Sequence, residues 1–183
     1  MTEYYLDIET HTTGQNPVPE QDKIITIQFQ RIDLSTGIPS GELTILKEWE
    51  SSEEQIVTEF YNRFFRGARV WDFIPVGHNL NFEWEFLMVK FEKYLGKKFT
   101  SRDFYYNRPC LDLKPILVLL NKGNFKGARL DAFTNKPVDG SVIKTYYENK
   151  QFPEIEQYIR IETEAFLEFL QKINSNVQKL VGD

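Results

Sequence analysis

Four carboxylates, Asp7, Glu9, Glu83 and Glu162, are the residues of this chain whose types and spacing best suit chemistry. Asp7 and Glu9 lie two apart in the alternating stretch YYLDIE, residues 4–9, which reads as a strand. Strand side chains alternate, so Tyr5, Asp7 and Glu9 share one face, and Tyr4, Leu6 and Ile8 share the other. Like charges at that spacing repel, and one would take up a proton unless a cation lies between them. Hard divalent cations such as Mg²⁺ favour carboxylate oxygens. For this pair alone, two acids at a water-exposed strand end are an equal alternative.

The other two acids sit in helical patterns. Phe86, Leu87, Phe91, Tyr94 and Leu95 form an apolar stripe that Glu83, unlike Glu85, extends by one turn. A first-turn glutamate favoured by the helix dipole is the structural alternative. Further along, Ile155, Ile159, Phe166, Phe169, Leu170 and Ile173 mark the inner face of a long helix. Tyr158 and Glu162 fall on that face as neighbours four residues apart, whereas Glu164 and Glu168 point elsewhere. A carboxylate on a buried stripe is costly unless it is paired or binds metal. A boundary position or a salt bridge is the other account of Glu162, and Tyr158 alone reads as a core phenol. Taken together, four acids from three segments fit a two-metal phosphodiester site. Such sites hold two ions roughly 3.5–4 Å apart, which activate water and stabilise the oxygens of in-line displacement. Tyr158 is placed to orient or help deprotonate that water.

Positioning these groups requires an ordered frame. Strands are expected at 4–9, 23–31, 42–48 and 70–76, the last interrupted near Pro75. Residues 10–22 read as a loop, and Gly37, Pro39 and Gly41 as a turn. Helices are expected from Ser51–Ser52 to about Phe65, from about Phe82 to Leu95, and at about 113–121. A short one begins at Asp139-Gly140-Ser141, and the longest runs from Pro153 to about Ile173. Three strands in series predict an antiparallel meander, and the later alternation of helices with extended segments predicts parallel pairing. The fold class is therefore α/β: a mixed sheet flanked by helices, in one domain over residues 1–183.

Composition narrows the function classes. With 41% hydrophobic residues, the chain of 183 can bury a core. No apolar run is long enough to span a bilayer, no secretory pattern opens the sequence, and the single Cys110 suits a reducing cytoplasm. A net charge of −5 argues against a broad nucleic-acid-coating surface, but suits a site where metal ions carry the positive charge. Two histidines exclude a His-rich zinc site. His11 either touches a phosphate or sits in a loop, and His78 is structural or substrate-adjacent. Asp112 reads as a helix N-cap, with a secondary option of lining the metal site. Lys122, Lys126 and Arg129 around Phe125, and Phe104, Tyr105 and Tyr106 between Arg102 and Arg108, are candidate single-strand contacts. A solvated loop is at least as good a reading of the first group.

Three stretches, YYLDIETHT, GHNLNFEWEFL and YIRIETEAF, resemble the three motifs of the DEDD 3′–5′ exonuclease superfamily. Asn79, Phe82 and Glu83 stand at the places of the second motif, and Tyr158 and Glu162 at those of the third. CLDLKPILVLL and DGSVIKTYYENKQFPEIEQY are similar to stand-alone exonucleases related to the proofreading domain of family B DNA polymerases. The resemblance covers about residues 4–172. It implies a ribonuclease H-like fold and metal-dependent 3′–5′ removal of nucleoside monophosphates from single-stranded 3′ ends, with DNA favoured over RNA. It also implies two Mg²⁺ or Mn²⁺ ions: Asp7 bridging both, Glu9 and Glu162 on the nucleophile-side metal, Glu83 on the second. His11, Asn79, Phe82, Lys126 and Arg129 become substrate-contact candidates, and replication or repair proteins become candidate partners. Positions 83 and 162, aspartate in the family pattern, are glutamate here. Each adds roughly 1.5 Å of reach, and catalytic geometry can fail with shifts of about 1 Å. The alternatives are therefore a catalytically degenerate module that binds nucleic acid or a repair partner and, third, a related endonuclease.

Overall fold

The computed structural model describes residues 1–134 and 140–181. Strand β1 (Glu3–His11) runs through the middle of a mixed sheet, antiparallel to β2 (Lys23–Asp33) on one side and parallel to β5 (Ile74–Gly77) on the other. β3 (Ile38–Pro39) and β4 (Thr44–Lys47) both pair antiparallel with β2, and β6 (Leu111–Asp112) pairs parallel with β5. The path is β3-β2-β1-β5-β6, with β4 also on β2. This is the expected meander extended by parallel strands. The segment expected as one strand over 42–48 contributes only β4, while Ile38–Pro39, expected within a turn, pairs with the end of β2. Gly37 makes the return possible: its φ of 74° suits glycine, and its amide donates to the Asp33 carbonyl at 2.7 Å.

Pro75 does not interrupt β5. The Ile74 amide points toward β1 and donates to the Thr2 carbonyl, so the proline nitrogen faces the opposite side. There β6 begins pairing only at Val76, and the missing N–H leaves no gap in the ladder.

The helices are α1 (Glu53–Phe64), α2 (Leu80–Leu95), α3 (Ser101–Tyr105), α4 (Lys114–Leu120), α5 (Val142–Glu148) and α6 (Phe152–Val181). Ser52 caps α1 by accepting from the Gln55 amide, as its sequence implies. Asp139, at the expected start of α5, lies outside the described residues. The short α3 was not expected; the Thr100–Asp103 capping box starts it, and it turns Phe104 inward. Phe104 is fully buried, with its ring 4.4 Å from Trp84. Arg108 lies over the Phe65 ring at 4.4 Å. Of the aromatic cluster expected to contact nucleic acid, Phe104 is therefore core.

Alternation along β1 divides the core into two sides. Leu6 and Ile8 pack with Phe29 of β2, Phe60 and Phe64 of α1, and Trp84, Phe86 and Phe91 of α2. Tyr5 packs on the opposite side with Val76 and with Phe166 and Leu170 of α6. Asp7 and Glu9 follow Tyr5 and face α6. The loop after β1 is fixed from below by a buried ion pair. Lys90 Nζ lies 3.1 Å from Glu53 Oε1, with both side chains nearly inaccessible, and also donates to the Asp22 carbonyl oxygen. The Asp22 carboxylate accepts from the Thr13 amide, the Thr13 hydroxyl and the Val18 amide. These hydrogen bonds hold its pKa below the ordinary aspartate value despite burial.

Gly77 marks the tightest crossing. A Cβ there would stand 2.6 Å from a Leu80 methyl and 2.8 Å from the Leu6 carbonyl oxygen. Gly77→Ala is expected to lower unfolding stability by roughly 1–3 kcal/mol through overpacking. A shifted urea midpoint with unchanged slope would check this; an unchanged midpoint would show that β5 can move away from β1.

Candidate metal centre

Asp7, Glu9 and Glu162 each bring a carboxylate oxygen within 4.8 Å of the others. β1 supplies the first two through its alternation, and α6 supplies the third from the same face that buries Ile159 and Phe166. All three are half-buried, so their charges are only partly screened. The longer Glu162 side chain, at a position where the resembled pattern has aspartate, still reaches the pair on β1. A β-bulge follows directly: Glu9 faces Thr26 while Thr10 faces Ile24, leaving Ile25 over. Bulges turn a strand locally and re-aim side chains.

Glu83 enters from the N-terminal turn of α2 and is almost fully buried, with 3% exposure. Its Oε2 meets no hydrogen-bond partner among the described residues. Burial first, and then the charge of Asp7, raises its pKa well above the usual carboxyl range. Its contact with Asp7 joins two carboxyl groups, so it is a hydrogen bond only when one of them holds a proton. A divalent cation does the same job at neutral pH. An orphaned carboxylate oxygen beside three gathered carboxylates is the donor set that Mg²⁺ or Mn²⁺ prefers, and the residues fit such an ion.

Two neighbouring side chains hold Asp7 in place. Gln28, its cross-strand partner, donates from Nε2 to Asp7 Oδ2 at 2.9 Å, and the Tyr5 hydroxyl reaches the same oxygen at 3.3 Å. Thr26 donates to Gln28 Oε1 at 2.9 Å, which fixes the amide's orientation. Thr26 and Gln28 are fully buried polar residues. The signal was present in IITIQF, residues 24–29: two polar side chains at alternate positions of an otherwise apolar stretch.

Tyr158 is buried and hydrogen-bonded to Glu162. Its burial and the charges of Glu9 and Glu162 push the phenol far above the ordinary tyrosine value. In this acidic surrounding the phenol holds its proton tightly. Gly140 lies close enough that a Cβ would stand 3.1 Å from the phenol oxygen.

The remaining candidates separate. His11 ends β1 rather than sitting in a loop. Its Nε2 meets Glu148 Oε1 at 3.2 Å and its ring packs on Tyr147, which ties α5 to the sheet. Asn79 adopts a left-handed conformation (φ 67°) ahead of α2 and accepts from Lys114 Nζ at 2.6 Å. Phe82 is half-buried against Phe86. Asp112 accepts from the Asn79 and Leu80 amides (2.8 and 3.0 Å) as well as that of Lys114 (2.9 Å). It therefore caps α2 across the sheet in addition to its own helix. His78 is half-buried, bonds the backbone at Ala128, and is held neutral by burial. Arg129 is engaged by Asp131 at 2.7 Å, whereas the Lys126 side chain is exposed.

No model of a known protein family matches the sequence, and no curated protein sequence matches it. Solved structures do match in fold. The family B DNA polymerase of the hyperthermophilic archaeon Pyrobaculum calidifontis aligns with 92% of this chain at a TM-score of 0.65 and 18% identity. Exonuclease I aligns with 72% at a TM-score of 0.52 and 14% identity. This chain spans only 24% of that polymerase and 36% of that exonuclease. The mixed sheet is thus the ribonuclease H-like α/β fold of exonucleases. Among the described residues no helix is long and apolar enough to cross a membrane.

Glu83 binds its proton more tightly in the folded chain than in the unfolded one, where it titrates near 4.5. In chelator, the stability it contributes is full below about pH 4.5 and is lost as pH rises toward the raised folded value. A divalent cation replaces the proton, so Mn²⁺ should raise Tm far more at neutral than at acidic pH. Glu83→Gln should flatten the metal-free dependence. Thermal melts across pH, with and without Mn²⁺, check this; equal metal shifts at both ends would reject it.

Proposed function

We propose that this chain is a metal-dependent 3′–5′ exonuclease acting on single-stranded nucleic acid, with DNA favoured over RNA. The observation that carries this reading is the meeting of Asp7, Glu9 and Glu162 within 4.8 Å, with the buried Glu83 carboxyl against Asp7. An exonuclease fold gives the reading its context, and the resemblance to proofreading domains favours DNA.

Asp7, Glu9, Glu83 and Glu162 would hold the cations. When bound, divalent ions supply an activated water and stabilise charge on the oxygens of the phosphodiester. Asp7 is kept in one orientation by Gln28 and Tyr5, so the ligand geometry is set before substrate arrives. Glu162 accepts from Tyr158, and the phenol, still protonated, can turn its oxygen toward the attacking water. Glu83 is shielded from bulk water, which strengthens its interaction with any cation it contacts. Asn79 and Phe82 stand at the mouth of α2, where the terminal nucleotide would rest.

A 5′-labelled single-stranded DNA and its RNA counterpart, incubated in Mg²⁺, Mn²⁺ or chelator, test the reading. The expected result is a metal-dependent ladder shortening from the 3′ end, absent in Asp7→Ala, with a circular single strand left intact. No cleavage by the folded protein would favour a degenerate binding module, and cutting of the circle would favour an endonuclease. Gln28→Leu removes a ligand's support rather than a ligand, and should reduce activity or metal affinity about 10–100-fold. Wild-type rates in that variant would show that Asp7 needs no such support.

A further inference from the structure

We propose that the cleft between the start of α2, helix α4 and the loop 121–128 is a nucleobase subsite. In it Phe125 stacks on a base beyond the 3′-terminal nucleotide. The identity of the ligand rests on the exonuclease reading; the cleft itself rests on different residues. Its volume is about 550 Å³, within the range of ligand pockets, and Asn79, Asn81, Lys114, Val118, Leu119 and Phe125 line it.

Phe125 and Leu119 are 78% and 76% exposed, an unusual placement for large apolar side chains next to each other. The loop that presents Phe125 is built to hold it there. The Asn121 side-chain amide donates to the carbonyls of Asn124 (2.7 Å) and Lys126 (3.0 Å). Gly123 and Gly127 take the left-handed backbone on either side (φ 81° and 84°). A loop ordered before binding loses little backbone entropy when a flat partner stacks on the ring it presents.

Charge favours a nucleic-acid strand as the occupant. Lys114 lines the cleft, and Lys122 and Lys126 are exposed on the Phe125 loop. The carboxylate at the cleft, Asp112, turns its oxygens to three backbone amides. Asn81 offers an exposed amide for a base edge. The exposed Tyr105 donates to the Asn81 carbonyl at 3.4 Å, which places a second aromatic ring beside the same edge. An aromatic platform beside cations is the general means of gripping a single strand without reading its sequence.

Binding of a fluorescein-labelled oligothymidylate to the full chain in chelator, read by anisotropy, tests the subsite. Phe125→Ala is expected to weaken binding about tenfold, and Phe125→Trp to retain it. In Mn²⁺, hydrolysis of the p-nitrophenyl ester of thymidine 5′-monophosphate, too small to span both sites, should be equal in wild type and Phe125→Ala. Unchanged oligonucleotide affinity in Phe125→Ala overturns the proposal and leaves a partner peptide as the cleft's occupant. Loss that Phe125→Trp does not recover, slower ester hydrolysis in Phe125→Ala, or no oligonucleotide binding by the wild type also overturns it. Phe125-dependent binding without turnover of ester or oligonucleotide would defeat the exonuclease reading and leave the subsite standing.

Discussion

Mutual repulsion among carboxylates is the constraint around which this molecule is arranged. Three acids lie within 4.8 Å of one another, and a fourth is buried against one of them. Unaided, such a cluster would spread apart or take up protons. It stays together because each acid is attached to an element whose position is decided by apolar packing. β1 lies between two hydrogen-bonded neighbours, and α6 and α2 are each anchored by aromatic residues in the core. Burial of those side chains, at roughly 25 cal/mol per Å² of apolar surface, opposes the repulsion that the cluster concentrates.

Asp7 illustrates how local polarity supports that arrangement. Its Oδ2 receives two donors, and one of them, Gln28, is itself oriented by Thr26. Buried polar groups satisfied in series specify a single geometry, whereas a gap in the series would be costly. The same logic appears beneath the sheet, where Glu53, Lys90 and Asp22 link the loop after β1 to α1 and α2. One network orients Asp7, and the other fixes the segment that follows β1. Removing either partner of the deeper pair would leave a charge without compensation.

Glutamate at two positions where the resembled pattern has aspartate does not disperse the cluster. Glu162 belongs to the group of three, and Glu83 reaches Asp7. The added methylene makes each side chain longer and freer to rotate, so packing must do more to hold it. Glu83 is nearly inaccessible, and Glu162 is bonded to the buried phenol of Tyr158. Both restraints limit the rotamers that the longer chains would otherwise explore.

The sequence by itself determined which residues face inward. Alternation in YYLDIE put Asp7 and Glu9 on one side of a strand, and the stripes of α2 and α6 put Glu83, Tyr158 and Glu162 on buried faces. These are periodic properties, fixed by 2.0 and 3.6 residues per repeat, and they need no knowledge of neighbours. Tertiary structure alone decided what each residue meets. Strand register placed Gln28 opposite Asp7. The fold brought Asp112 to the start of α2 across 33 residues of chain and gave His11 to Glu148. A short helix without a strong periodic signal buried Phe104, which its aromatic and basic neighbours had made look like a surface contact. Partners separated in sequence are chosen by topology and register, and those depend on how the whole core closes.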